Sequence, residues 1–248
     1  MFQPLSHNEL MIMRKAGKAA ADILKRLKKV IKPGISTQEI DSFFKNALKG
    51  YPGMEAAFRG FRGYPASLCV SVNEEIIHGI PSGRVIQKGD IVSVDLGIKY
   101  KGLFVDAAYT YIVGKVSKVV RKLVKVTLGA LYVGIKKAKV GAKVGDVGFA
   151  IQKFVERNGF SVIRKFVGHG IGKDLHLAPE IPNFGKVREG EELKENYAIA
   201  IEPMVSSGSF DVDILGDGWG VKTKDDSLSA HFEHTVAITK KGPWILTQ

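Results

Sequence analysis

The sequence predicts an α+β fold built from two related helix-and-strand halves, and three observations carry that expectation. KPGISTQEIDSFFKNALK, from Lys32, aligns without gaps on KVGAKVGDVGFAIQKFVE, from Lys139, at an offset of 107 residues. The same offset carries IVSVD, ending at Asp95, onto AIAIE, ending at Glu202. The polar stretch Lys99–Gly102 separates two apolar runs, as a hairpin turn does.

The elements follow in order. Ser6 and Glu9 have the spacing of a capping box before Leu10, Ile12 and Met13, which predicts an N-terminal helix. The first repeat copy has a turn glycine, Gly34, an acidic first turn at Glu39, and an apolar stripe of Ile40, Phe44 and Leu48. A hairpin comes next. A two-residue loop at Tyr100 and Lys101 would set Asp95 directly opposite Asp106, with Cβ atoms roughly 4.5–5.5 Å apart, or one pair off if Gly102 opens a bulge. The second copy repeats the helix with Gly141, Asp146, Val147, Ile151 and Val155. AIAIE and SAHFEHTVAI then read as buried strands, and His231 and Glu233 share a face if both lie on one strand.

Asp95, Asp106, Glu202 and Glu233 interrupt runs rich in Val, Ile, Ala or Phe, and His169 sits between glycines in VGHGIG. A buried carboxylate loses hydration in its charged form, so several of them together need protons or cations. Four separate carboxylates, each paired with Arg or Lys, form the alternative reading. It does not explain why an acid recurs at equivalent strand positions of the two halves. A divalent metal site between the halves does.

Composition narrows the rest. A chain of 248 residues can bury roughly 70–75% of its unfolded surface as one domain, and no Ser/Gly/Pro-rich linker divides residues 1–248. No apolar run approaches the ~18 residues of a membrane span. The N-terminus lacks the basic start and apolar core of a signal peptide. A lone cysteine, Cys69, fits a reducing cytoplasm. The net charge of +12 is spread through segments such as KRLKKVIK and RKLVKV, which read as solvated helix faces. Such a surface would still favour loose docking on RNA, such as a ribosome.

The ordered set Asp95, Asp106, His169, Glu202 and Glu233, within VSVNEEIIHGIP, VGHGIG, AIEPMV and FEHT, resembles the type I methionine aminopeptidases over essentially the whole chain. The resemblance implies the pita-bread fold, a pseudo-two-fold symmetric antiparallel sheet covered by helices on one face. It implies a cytoplasmic, monomeric metallo-exopeptidase that removes the N-terminal methionine of nascent polypeptides when the second residue is small. Two divalent ions are expected, among Co²⁺, Mn²⁺, Fe²⁺, Zn²⁺ and Mg²⁺, and the oxygen-rich donor set suits the others better than a structural zinc. Asp106 and Glu233 would bridge both ions, Asp95 would chelate one, and His169 with Glu202 would hold the other. Glu202 would also shuttle a proton, His176 would stabilise the oxyanion, and His78 would position the scissile amide.

Phe61, Tyr64, Cys69, His78, Leu175, His176 and Trp219 would line the pocket for the methionine side chain, where thioether contacts with rings and a thiol are favourable. Phe61, Leu175 and HLAPE depart from the family's more usual Tyr, Phe and acidic HEDPQ. His231 would support the ligands, and His7 and His234 are structural. The chain's own start, Met1-Phe2, carries a bulky second residue and should escape the activity.

Proline aminopeptidases and prolidases share the fold but usually carry a sizeable N-terminal domain. Type II methionine aminopeptidases need an insertion, for which the 26 residues from His176 to Glu202 and the 31 from Glu202 to Glu233 leave no room. Silent peptide-binding homologues tend to lose ligands, and here every ligand position is filled.

Overall fold

The computed structural model describes residues 4–248, so Met1 and Phe2, and the expectation placed on them, lie outside the described residues. Two helices, α1 (His7–Val30) and α2 (Thr37–Leu48), precede strands β1 (Met54–Ala56), β2 (Cys69–Val72), β3 (Glu75–Ile77), β4 (Ile91–Tyr100) and β5 (Leu103–Ile112). Two more helices, α3 (Lys118–Lys137) and α4 (Val144–Arg157), precede β6 (Ser161–Val162), β7 (Gly168–Gly170), β8 (Leu177–Ile181), β9 (Ala198–Ile201) and β10 (Met204–Ser206). The chain closes with β11 (Val212–Ile214), β12 (Val221–Thr223), β13 (Ser229–His231), β14 (His234–Thr239) and β15 (Gly242–Ile245).

Local chemistry sets the helix starts. At α1, Ser6 Oγ accepts from the Glu9 N–H at 3.2 Å while Glu9 Oε2 accepts from the Ser6 N–H at 2.7 Å, satisfying two otherwise orphaned donors. Ser36 and Glu39 repeat the arrangement at α2. At α4 the acidic half survives, with Asp146 Oδ2 accepting from the Lys143 N–H at 2.8 Å. Leu10, Met13, Gly17, Ala20, Leu24 and Leu27 form the buried stripe of α1 at alternating spacings of three and four. Gly17 is required there, because a Cβ would run into the carbonyl of Leu246.

The 107-residue offset is a property of the whole architecture. It carries the start of α2 onto that of α4, the end of α1 onto that of α3, and the start of β4 onto that of β9. The isolated bridge Ser36–Val85 maps onto Lys143–Glu192. The Gly34 N–H to Ile86 carbonyl bond of 2.9 Å recurs between Gly141 and Leu193 at 2.9 Å. Each half has its own apolar cluster, one with Ile23, Phe44 and Val94, the other with Leu131, Ile151 and Ile199.

Among the described residues every strand pairing is antiparallel. The first half centres on β1-β4-β2 with β5 on β4, the second on β15-β14-β9-β7-β8. The two meet where Ala108 and Glu233 exchange backbone bonds, 3.4 Å to the Glu233 carbonyl and 3.0 Å to that of Ala108. Val92, Val94, Leu96 and Ile98 of β4 join the cluster shared with α1. The alternate residues, Asp95 among them, therefore face away from the helices.

Two sequence expectations are corrected. The hairpin turns at Lys101 (φ 49°) and Gly102 (φ 77°), one residue later than Tyr100–Lys101. A two-residue hairpin of the favoured twist needs positive φ at both central residues, and glycine adopts it without cost. Asp95 thus pairs with Ala108 and Asp106 with Gly97, with no bulge, so the two acids lie diagonally on one face rather than opposite. His231 and Glu233 do not share a strand. β13 ends at His231 and β14 begins at His234, because the chain crosses between sheets at Phe232–Glu233.

Candidate metal centre and substrate cavity

Five side chains converge from five places in the fold. Asp95 comes from β4, Asp106 from β5, His169 from β7, Glu202 from the residue after β9, and Glu233 from the crossing between β13 and β14. One donor atom each from Asp95, Asp106 and Glu233 lie within 4.8 Å of one another, and so do donors of His169, Glu202 and Glu233. Glu233 belongs to both groups. A third group at the same spacing joins Asp106 with His169 and His176.

The donor set fits divalent cations. Asp95 Oδ1 and Glu233 Oε1 are buried with no hydrogen-bond partner. Among the described residues no Lys or Arg pairs with Asp95, Asp106, Glu202 or Glu233. Beside Glu202 stand the imidazole nitrogens of His169 at 3.5 Å and His231 at 3.9 Å. Burial, reinforced by the neighbouring carboxylates, pushes Asp95, Glu202 and Glu233 well above the usual carboxylate range. Burial also raises Asp106 to about 7. Acids held so far from water and from basic side chains are stable when charged only if cations lie among them.

His169 is oriented for the same task. Its Nδ1 lies 2.9 Å from the Gly170 carbonyl, which can only accept, so Nδ1 carries the proton. Burial lowers the pKa of the ring to about 4, so it is neutral, and Nε2 presents its lone pair toward Glu202. His231 is fully buried beside Glu202 with both ring nitrogens unpartnered, and burial brings its pKa to about 3.

A cavity of about 580 Å³ opens onto these residues. Phe61, Tyr64, Cys69, His78, Leu175, His176 and Trp219 all line it. The Tyr64 ring meets Trp219 edge-on at 5.1 Å, and its hydroxyl reaches the Gly79 carbonyl at 3.1 Å. Phe61 meets His176 edge-on at 5.1 Å, and the His176 ring lies 4.1 Å from that of His169. His78 is held in a left-handed conformation, φ 59°, between Phe166 and Trp219. Partial burial brings His176 to about 3 and burial brings His78 to about 4, so both rings are neutral. Cys69 stands across from Asp95 in the β2–β4 register. Burial and that carboxylate push its thiol up, which leaves it protonated and unsuited to nucleophilic attack.

Phe58, Ile77 and Phe166 also line the cavity and were not singled out from the sequence. Ile77 adjoins His78, a signal that could have found it. Phe58 reaches the site only because Gly97 has no side chain, since a Cβ there would come within 2.6 Å of the Phe58 ring. His7 is the first residue of α1 and does not line the cavity, and His234 contacts Thr247 Oγ1 at 2.9 Å.

The profile of metallopeptidase family M24 matches residues 11–240. The chain is 48% identical to methionine aminopeptidase 1 of Bacillus subtilis, over 97% of this chain and 96% of that one. Its structure is similar to that of methionine aminopeptidase from Thermotoga maritima, with TM-score 0.98, 45% identity and full coverage of both chains. Prolidase from Pyrococcus furiosus is similar at TM-score 0.79 and 22% identity, over 99% of this chain and 65% of that one. That last likeness concerns the fold, which is the expected pita-bread arrangement.

Proposed function

The chain belongs to metallopeptidase family M24, and on that premise we propose that it hydrolyses the first peptide bond of polypeptides that begin with methionine. The observation that carries this reading is the pair of overlapping donor groups sharing Glu233, set in the wall of an apolar, aromatic-lined cavity. Near-identical length and a TM-score of 0.98 favour methionine release over proline-specific hydrolysis.

Asp95, Asp106, His169, Glu202 and Glu233 would hold two divalent ions. When bound, the ions supply Lewis acidity to the scissile carbonyl and to an attacking water. Glu202, set beside His169 and His231 at the cavity wall, takes the water's proton and delivers it to the departing amine. His176, neutral, turns an N–H toward the oxygen that becomes negative in the transition state. His78, fixed between Phe166 and Trp219, holds the scissile amide.

Phe61, Tyr64, Cys69, Leu175 and Trp219, with Phe58, Ile77 and Phe166, close around a linear thioether side chain. The substrate rule is a small second residue. We further propose that residues 1–248 act as one catalytic unit, as a cytoplasmic monomer working on nascent chains, with the +12 charge favouring weak ribosome association. No helix among the described residues is long and apolar enough to cross a membrane.

Release of methionine from Met-Ala and Met-Leu peptides, compared with cleavage of Ala-Pro and with metal content measured in parallel, tests the reading. Fast turnover of Met-Ala alone, at two metal ions per chain, is expected. Preferential cleavage of Ala-Pro would overturn it.

A further inference from the structure

The seam between α1 and α2 and the seam between α3 and α4 occupy corresponding places in the two halves, yet they are finished differently. In the first half the chain's own side chains close the seam. The Arg26 guanidinium lies 5.4 Å from the centre of the Phe43 ring, and the Tyr51 hydroxyl donates to Asp22 at 2.6 Å. The offset of 107 residues puts Val133 at the place of Arg26, Ala150 at that of Phe43, Asn158 at that of Tyr51 and Gly129 at that of Asp22. These four replacements are smaller, whereas Phe149 and Phe154 stand where the first half has Ser42 and Ala47, and the Phe154 ring packs against Gly129. What remains between the two helices is a groove of about 590 Å³, with Val133, Phe149, Ala150 and Phe154 as its apolar lining.

Its rim is cationic. Lys137, Lys153 and Arg157 line it, and none of them forms an ion pair among the described residues, although Lys153 lies 5.2 Å from the centre of the Phe149 ring. The one acid in the lining, Asp146, is engaged at both oxygens by the backbone N–H groups of Lys143 and Arg188, at 2.8 and 2.9 Å. Val187, at the edge, is 52% exposed. The same fold closes this seam elsewhere in the molecule, so the opening is not a requirement of the architecture.

We propose that the α3–α4 groove is a docking site for an acidic amphipathic peptide segment of a partner protein. Apolar side chains at helical spacing fill the space that Phe43 and Arg26 fill in the other half, and flanking Glu or Asp residues meet Lys137, Lys153 and Arg157. A nucleic acid would use the rim but leave the aliphatic and aromatic floor uncovered, so a peptide is favoured. The site lies apart from the metal centre and does not depend on the activity assigned to it.

Fluorescence anisotropy of the full-length protein with labelled peptides of about 15 residues, rich in Glu with Leu or Phe at i, i+4 and i+7, tests this. Controls are a scrambled peptide of the same composition, a Lys-for-Glu peptide and poly(U) RNA. Saturable binding of the amphipathic acidic peptides is expected, weakened at least about ten-fold by Ala150→Phe, which restores the first half's plug, and by Lys153→Glu with Arg157→Glu. Methionine release from Met-Ala should be unchanged in both variants. Absence of binding, equal binding of the scrambled peptide, or binding only of RNA would overturn the proposal. So would retention of full peptide affinity in folded Ala150→Phe, and if that variant does not fold, the charge-reversed one decides.

Discussion

Glu233→Gln should act in opposite directions on the chelator-stripped and the metal-loaded protein. In the stripped protein Asp95, Glu202 and Glu233 are raised well above their ordinary values of 3.8, 4.5 and 4.5, and Asp106 is raised to about 7. The native state therefore keeps protons that the unfolded chain has released. Stability is fully present below about pH 4 and is lost as pH rises through the raised values. Each retained proton contributes a slope of about 1.4 kcal/mol per pH unit.

The Glu233 site contributes that slope over the part of the range between pH 5 and 7 in which its proton is retained. For a chain of 248 residues the slope corresponds to roughly 3–6 °C in Tm per pH unit. Glutamine removes this site from the titration, so stripped Glu233→Gln should melt several degrees above stripped wild type at pH 7 and lose part of the pH slope. With Mn²⁺ present the order should reverse, because the carboxylate shared by both donor groups is gone. Differential scanning fluorimetry of both proteins, stripped and loaded, at pH 5 and 7 measures these differences. A stripped wild type whose Tm does not move between pH 5 and 7, or a stripped variant that melts below it at pH 7, would refute the reasoning.

His169→Ala should abolish turnover and lower bound metal in elemental analysis, because it deletes the Nε2 donor facing Glu202, and full activity in stripped buffer would end the metallohydrolase reading. His176→Ala should retain metal and lose ~10²–10³ in kcat, as for one transition-state donor; collapse of metal occupancy would instead make His176 a ligand. Gly148→Ala should destabilise the fold by about 3 kcal/mol, because its Cβ would meet the backbone carbonyl oxygens of Phe184 and, at 2.6 Å, Pro182; an unchanged melting curve would contradict this close approach.

Local interactions were legible in the sequence because their partners are near in the chain. The Ser6–Glu9 and Ser36–Glu39 capping boxes, the apolar stripes and the turn glycines at 34 and 141 each span a few residues. The repeat then related one half to the other, and the candidate ligands were visible as acids inside apolar runs. Register was less secure. The hairpin depends on φ at two residues, and moving the turn from Tyr100–Lys101 to Lys101–Gly102 changed which residue faces Asp95.

The tertiary structure decided what depends on distant segments meeting. It ended β13 at His231, joined the halves at Ala108 and Glu233, and set the His169 tautomer through the Gly170 carbonyl. Phe58, Ile77 and Phe166 came to the cavity from separate segments, with no periodicity to announce them, and Phe58 needed the missing side chain of Gly97. The α3–α4 groove likewise depends on which side chains meet across two helices, with Val133 and Ala150 at the places of Arg26 and Phe43. Chain-local hydrogen bonds and side-chain spacing are written in the order of residues, whereas cavities and shared metal donors exist only where packing brings remote backbones together.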